Sequence, residues 1–175
     1  MKRPYIRFID RNNSDKRKKK IVHPFDGRGM PLDYKILNEG AKELSHKFRR
    51  TKFDYVIGFA EGGLIPAFSI AQSLKKPLIC SYRVRMHLPN EISFSEPHSA
   101  IPDHYIYGLK RGDRVLIIED EITTGTTIVN AMVSLREKGV DVVGVGAFIL
   151  NKLNGKGYNQ IRKDVGKFFY LFKVK

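Results

Sequence analysis

Apolar residues recur along this chain with two different periods. Leu37, Ala41, Leu44 and Phe48 are spaced by four, three and four positions, which places them on one face of a helix. Asp33, shortly after Pro31, is the expected N-cap of that helix. Asp54–Ala60 (DYVIGFA) is a short apolar run that predicts a buried strand. Ala67, Ile70, Ala71 and Leu74 restore the helical period and end before Pro77. Leu78–Arg83 predicts a second strand, and Tyr105–Tyr107 a short third one. Met86–His104, with three prolines and little periodicity, reads as a long loop, and loops of that length in a compact domain often carry function. A turn at Lys110–Asp113 leads into a strongly apolar strand, Arg114–Ile118. Ile128, Ala131, Met132 and Leu135 mark a helix that stops at Gly139, a C′ residue. Val140–Leu150 and Lys167–Val174 complete the expected strands.

Alternating strands and helices of this kind predict an α/β fold with a largely parallel sheet covered on both faces. In such sheets, ligands bind beyond the carboxyl ends of the strands, where strand order reverses. Two strand–loop–helix junctions carry the chemistry expected there. Val115–Thr127 delivers Glu119 and Asp120 from a buried strand, then runs through Thr123, Thr124, Gly125, Thr126 and Thr127 into a helix. Gly125 permits close backbone approach, and the helix N-terminus favours an anion such as phosphate. The carboxylates suit sugar hydroxyls, or a Mg²⁺ held by way of water or substrate. The loop has no lysine and lacks the Gly-Lys-Ser/Thr ending of a P-loop. The second junction, Ala60-Glu61-Gly62-Gly63, has paired glycines that present backbone N–H groups to an anion or simply make a tight turn.

The stretch Ile117–Thr127 resembles the signature of the type I phosphoribosyltransferases: an apolar strand, an acidic pair, two variable residues and a Thr/Gly loop. Glu121 stands where an apolar residue is more usual. The resemblance covers roughly residues 33–150 and implies that family's fold, with a mostly parallel sheet and a small hood formed by residues 1–32. It implies that Glu119 and Asp120 hold the ribose hydroxyls of phosphoribosyl pyrophosphate (PRPP). It places the 5′-phosphate on Thr123–Thr127 and the pyrophosphate on Ala60–Gly63, although Glu61 would repel an anion unless it turns away or Mg²⁺ intervenes. Arg83-Val84-Arg85-Met86-His87-Leu88-Pro89 is similar to the adenine phosphoribosyltransferase pattern of basic residues before Leu-Pro. That likeness puts Arg83 and Arg85 near the pyrophosphate, Glu96 in the position of a catalytic acid/base, and Met86–His104 in the role of a lid. His98 and His104 alone do not make a metal site. Phe25 and Tyr34 are candidates to stack on a base, while Gly125-Thr126 is shared with the orotate branch.

The implied reaction is transfer of phosphoribosyl from PRPP to a nucleobase, with Mg²⁺ as cofactor, adenine or another purine as acceptor, and a homodimer as the assembly. Charge adds a competing expectation. The formal charge is +14. Residues 1–52 hold 16 basic and 6 acidic side chains, residues 53–155 hold 10 and 11, and residues 156–175 hold 6 and 1. The basic surplus therefore flanks a near-neutral centre, with residues 151–175 read as a basic segment ending in a strand. The run Lys16–Lys20 is either a solvated loop or a contact for polyanions. The competing reading is a PRPP-sensing regulator that binds nucleic acid through its ends. One cysteine, Cys80, excludes an internal disulfide and reads as a buried small apolar residue. No apolar run nears the ~20 residues of a membrane span, and the N-terminus lacks a secretory pattern, so a cytoplasmic protein is expected.

Overall fold

The computed structural model describes residues 4–10, 19–151 and 156–174. Its strands are β1 (Arg7–Asp10), β2 (Lys19–Val22), β3 (Tyr55–Gly58), β4 (Leu78–Cys80), β5 (Ile92–Ser95), β6 (Asp103–Ile106), β7 (Arg114–Ile122), β8 (Asp141–Asn151) and β9 (Phe168–Val174). Its helices are α1 (Tyr34–Phe48), α2 (Leu64–Leu74), α3 (Thr126–Glu137) and α4 (Lys156–Asp164). Five strands form one parallel sheet in the order β4-β3-β7-β8-β9.

Alternation along the central strands divides the core between two faces. Val56, Leu116, Ile118 and Phe148 pack with Leu37, Leu44 and Phe48 of α1 and Ala67 and Ile70 of α2. Ile57, Val115, Ile117 and Val145 pack with Ile128, Met132 and Leu135 of α3, and with Tyr158 and Ile161 of α4. Asp33 caps α1 as expected, its carboxylate accepting from the Lys35 and Ile36 amides. Helix α3 ends in a Schellman motif: the Gly139 amide donates to the Arg136 carbonyl at 2.8 Å and the Val140 amide to Leu135 at 2.9 Å. Among the described residues, no helix is long and apolar enough to cross a membrane.

Several expectations change here. The stretch Met86–His104 is no continuous loop, because β5 lies within it and pairs antiparallel with β6, which overlaps the strand expected at Tyr105–Tyr107 and starts two residues earlier. Ile92 and Phe94 are buried on one face of that hairpin, and Asn130 of α3 donates to the Ser95 carbonyl at 2.8 Å. Two exposed irregular stretches remain, 84–90 and 97–102. Strand β9, expected in a basic segment apart from the core, is the sheet's fifth strand, and α4 before it was not expected at all. Residues 7–10 and 19–22 form an antiparallel pair, while Lys16–Lys18 of the basic run lie outside the described residues. Phe25 is fully buried against Phe148 and Phe172, so it cannot stack on a ligand, and Tyr34 lies outside the cleft described below. Cys80 is half-buried, and burial pushes its thiol pKa up.

Candidate active site

Strand order reverses at β3. The chain leaves β3 for β4 on one side, then returns to β7 on the other. The last paired residues of β3 and β7 are Gly58 and Ile118, yet β7 continues along β8 as far as Ile122. Glu119 and Asp120 therefore enter a gap that β3 has vacated. Helices α2 and α3 both begin at this gap, at Gly63 and Gly125, and neither has a side-chain cap. The Leu64 and Thr126 amides make only long bonds there, to the Glu61 carbonyl and to Thr124 Oγ1, both at 3.4 Å, and an anion could take their place. Gly125 has φ +77°, and a Cβ there would lie 2.9 Å from the Gly157 carbonyl carbon. A Cβ on Gly63 would stand 2.4 Å from a Glu119 carboxyl oxygen, so this loop lies directly on the acidic pair.

These elements enclose a cleft of about 650 Å³. It brings together Ala60, Glu61, Gly62 and Gly63 from the first loop and Thr123, Thr124, Gly125 and Thr127 from the second. Glu119, Asp120, Arg83 and Glu96 complete the set from the remaining elements. Two residues expected here are elsewhere. Thr126 does not line the cleft; its hydroxyl lies 3.1 Å from that of Thr124. Arg85 is held by Glu91 at 2.9 Å and lies over the Tyr105 ring, because a bend at Arg83–Val84 breaks the alternation that would have kept the two arginines together.

The pKa values of the two acids are pushed in opposite directions. Burial opposes ionisation of Asp120, but the His23 hydrogen bond and the Arg28 guanidinium hold its pKa at about 2. Burial, then the charge of Asp120, pushes Glu119 well above the usual carboxylate range. Among the described residues, one Glu119 oxygen is buried without a hydrogen-bond partner. Arg28 donates to Asp120 at 2.9 Å and to Asp26 at 2.6 Å, and His23 Nε2 lies 3.4 Å from Asp120. Burial disfavours the charged His23 ring, yet Asp120 and then Asp26 raise its pKa. Residues 23–28 thus supply the counter-charges of the acidic pair.

Arg83 and Glu96 face each other as an ion pair in the cleft. Burial works against the Glu96 carboxylate, but His104 and Arg83 bring its pKa down to about 2.

A family model described as phosphoribosyl transferase matches residues 6–166. The chain belongs to that family. The chain is 29% identical over 123 residues to the orotate phosphoribosyltransferase of Desulforamulus reducens, a match covering 70% of this chain and 57% of that protein. It is 30% identical over 140 residues to the hypoxanthine/guanine phosphoribosyltransferase of Methanothermobacter thermautotrophicus, covering 79% of this chain and 70% of that one. The chain thus spans little more than half the length of the first of these relatives. Among solved structures, adenine phosphoribosyltransferase from Rhodothermus marinus superposes with a TM-score of 0.74 at 21% identity, covering 97% of this chain and 94% of that one. The Giardia lamblia enzyme complexed with 9-deazaadenine gives 0.75 at 16% identity, with the same two coverages. At these identities the structural likeness concerns the phosphoribosyltransferase fold.

Proposed function

We propose that the protein transfers the 5-phosphoribosyl group of PRPP to a nucleobase, releasing pyrophosphate. The observation that carries this reading is the acidic pair entering the gap between two uncapped helix N-termini. One N-terminus, with Thr123, Thr124 and Thr127, suits the 5′-phosphate; the other, with Ala60–Gly63, suits the pyrophosphate. Glu119 and Asp120 between them suit the ribose hydroxyls. As the bond from C1′ to pyrophosphate oxygen breaks, positive charge develops on the sugar and negative charge on the leaving group. Asp120, already ionised, stabilises the first, and Arg83 with the Ala60–Gly63 backbone stabilises the second.

The donor set decides how Mg²⁺ fits. His23, Asp26 and Asp120 bring ligand atoms within 4.8 Å of one another. Arg28 already bridges the two aspartates, however, and an imidazole is a poor partner for this hard ion. Mg²⁺ fits better on the phosphate oxygens of the substrate, with the exposed Glu61 supplying a further oxygen. Bound there, it would neutralise charge on the leaving pyrophosphate.

The acceptor in this reading is a purine, with adenine first. Glu96 presents a carboxylate to the cleft, which suits a neutral base that must lose a proton better than an orotate anion. A solved Trypanosoma brucei adenine phosphoribosyltransferase of this fold holds AMP, pyrophosphate and ribose-5-phosphate. The turn at 97–102, whose His98 reaches the cleft wall, is the element we expect to close over the sugar and exclude water. Tyr82, Val84, Met86 and Leu88 expose alternate apolar side chains, a surface suited to a homodimer contact.

Asp120→Asn tests the reading. It keeps the size of the side chain and removes the charge, so PRPP-dependent pyrophosphate release should fall by about 100-fold or more while circular dichroism stays unchanged. Undiminished release would sink the assignment.

A further inference from the structure

Beneath the cleft, a chain of hydrogen bonds joins the Ala60 loop, the end of β4 and the β5–β6 hairpin. The Ala60 amide donates to Ser81 Oγ at 3.0 Å. Ser81 Oγ lies 2.8 Å from His104 Nδ1, and His104 Nε2 lies 3.4 Å from Glu96 Oε2. Ser81 and His104 are both fully buried. The imidazole is stacked on Phe94 with centroids 4.7 Å apart and planes 5° from parallel, and Phe59 packs at 5.8 Å. The ring therefore has little freedom to turn.

A single neutral tautomer satisfies every group. With the proton on Nε2, the ring donates to the Glu96 carboxylate, Nδ1 accepts from the Ser81 hydroxyl, and Ser81 Oγ accepts from Ala60. The other tautomer would turn a lone pair towards a carboxylate and leave the serine proton without an acceptor. Burial, ahead of the opposing hydrogen bond to the Glu96 carboxylate, lowers the His104 pKa, and Arg83 acts in the same sense. The ring thus stays neutral and the donor sequence keeps one direction.

We propose that His104, acting through Ser81, is a positioning residue that holds Glu96 in register with the Ala60–Gly63 loop while Arg83 turns to the leaving pyrophosphate. The inference rests on the phosphoribosyl-transfer reading. In the free cleft, Glu96 is shared by Arg83 and His104. When pyrophosphate draws the guanidinium away, His104 keeps the carboxylate aimed at the acceptor. The ring nitrogen of the base then forms its bond to C1′ as the C1′–O bond breaks, and its proton passes to Glu96. Loss of Arg83 from Glu96 also lets the carboxylate recover basicity, which a general base needs near neutral pH.

The test compares three variants of the full chain with wild type, using PRPP, Mg²⁺ and the best acceptor base. His104→Phe preserves the stack on Phe94 and removes both hydrogen bonds. Its kcat should fall about 10- to 100-fold with KM for PRPP little changed. His104→Gln, whose amide can donate from the Nε2 side, should recover part of that loss. Ser81→Ala combined with His104→Phe should be no worse than His104→Phe alone, since the two act as one chain. Nitrogen-15 NMR of the ring should show the proton on Nε2. A wild-type kcat in His104→Phe, additive losses in the double variant, or a proton on Nδ1 would each overturn the proposal. If wild type itself releases no pyrophosphate, the functional reading fails, and the NMR spectrum still decides whether the directed chain exists.

Discussion

Glu119 and Asp120 are adjacent on one strand, yet their pKa values are pushed in opposite directions, because a guanidinium and an imidazole hold Asp120 while burial and the Asp120 charge act on Glu119. The difference carries a stability consequence with a definite sign. The folded-state pKa of Glu119 lies above its ordinary value of 4.5, so its contribution to stability is complete below that pH and is lost as pH rises through the folded value. Glu119→Gln removes this loss. Calorimetry should give equal Tm for variant and wild type near about pH 4, and a higher variant Tm at neutral pH, by roughly 2–4 °C for each kcal/mol relieved. A variant less stable than wild type at neutral pH would contradict the assigned charge state. The pair itself was legible in the sequence, since three acids after an apolar strand are unusual. Its partners were not. Arg28 lies 92 positions from Asp120, and HPFDGRG carries no period that would announce a docking segment. Arg85 shows the reverse error: two arginines two positions apart imply one shared face only if the backbone between them stays extended.

At the scale of elements, the long strands and amphipathic helices were legible because burial on both sheet faces leaves apolar runs, and burial on one helix face leaves a 3.6-residue period. The apolar run ends the expected strand at Ile118, whereas β7 pairs as far as Ile122, since polarity there reflects the vacated neighbour position and not the end of pairing. Strand β6 was legible at Tyr105–Tyr107, but its partner β5 escaped because it has only four residues between flanking prolines, although Ile92 and Phe94 alternate as an inward face. In α4, Tyr158, Ile161 and Val165 do keep helical spacing, but glycine, asparagine and charge dilute the signal. The junction at Gly125 gives a prediction of its own. Gly125→Ala places a Cβ at positive φ and 2.9 Å from the backbone of α4, so both the loop and the α4 contact must shift. We expect a loss of at least about 1 kcal/mol in urea unfolding and a raised KM for PRPP. A variant with wild-type stability and KM would show that the left-handed turn does not shape the phosphate site.

For the whole molecule, the uneven charge takes on a different meaning. The centre is nearly neutral, and the cleft is built to hold anions with helix termini, backbone amides and a few placed cations. Part of the basic N-terminal region is nonetheless integral to the site, since Arg28 and His23 supply the balance that Asp120 needs. Lys20 lines the cleft as well, while Lys16–Lys18 lie outside the described residues and are what the nucleic-acid-binding alternative would use. The most direct test incubates the full chain with PRPP, Mg²⁺ and, separately, adenine, hypoxanthine, guanine and orotate, and measures pyrophosphate. The account predicts release that requires both PRPP and a base, fastest with adenine. No release with any base, accompanied by salt-sensitive RNA or DNA binding, would contradict it.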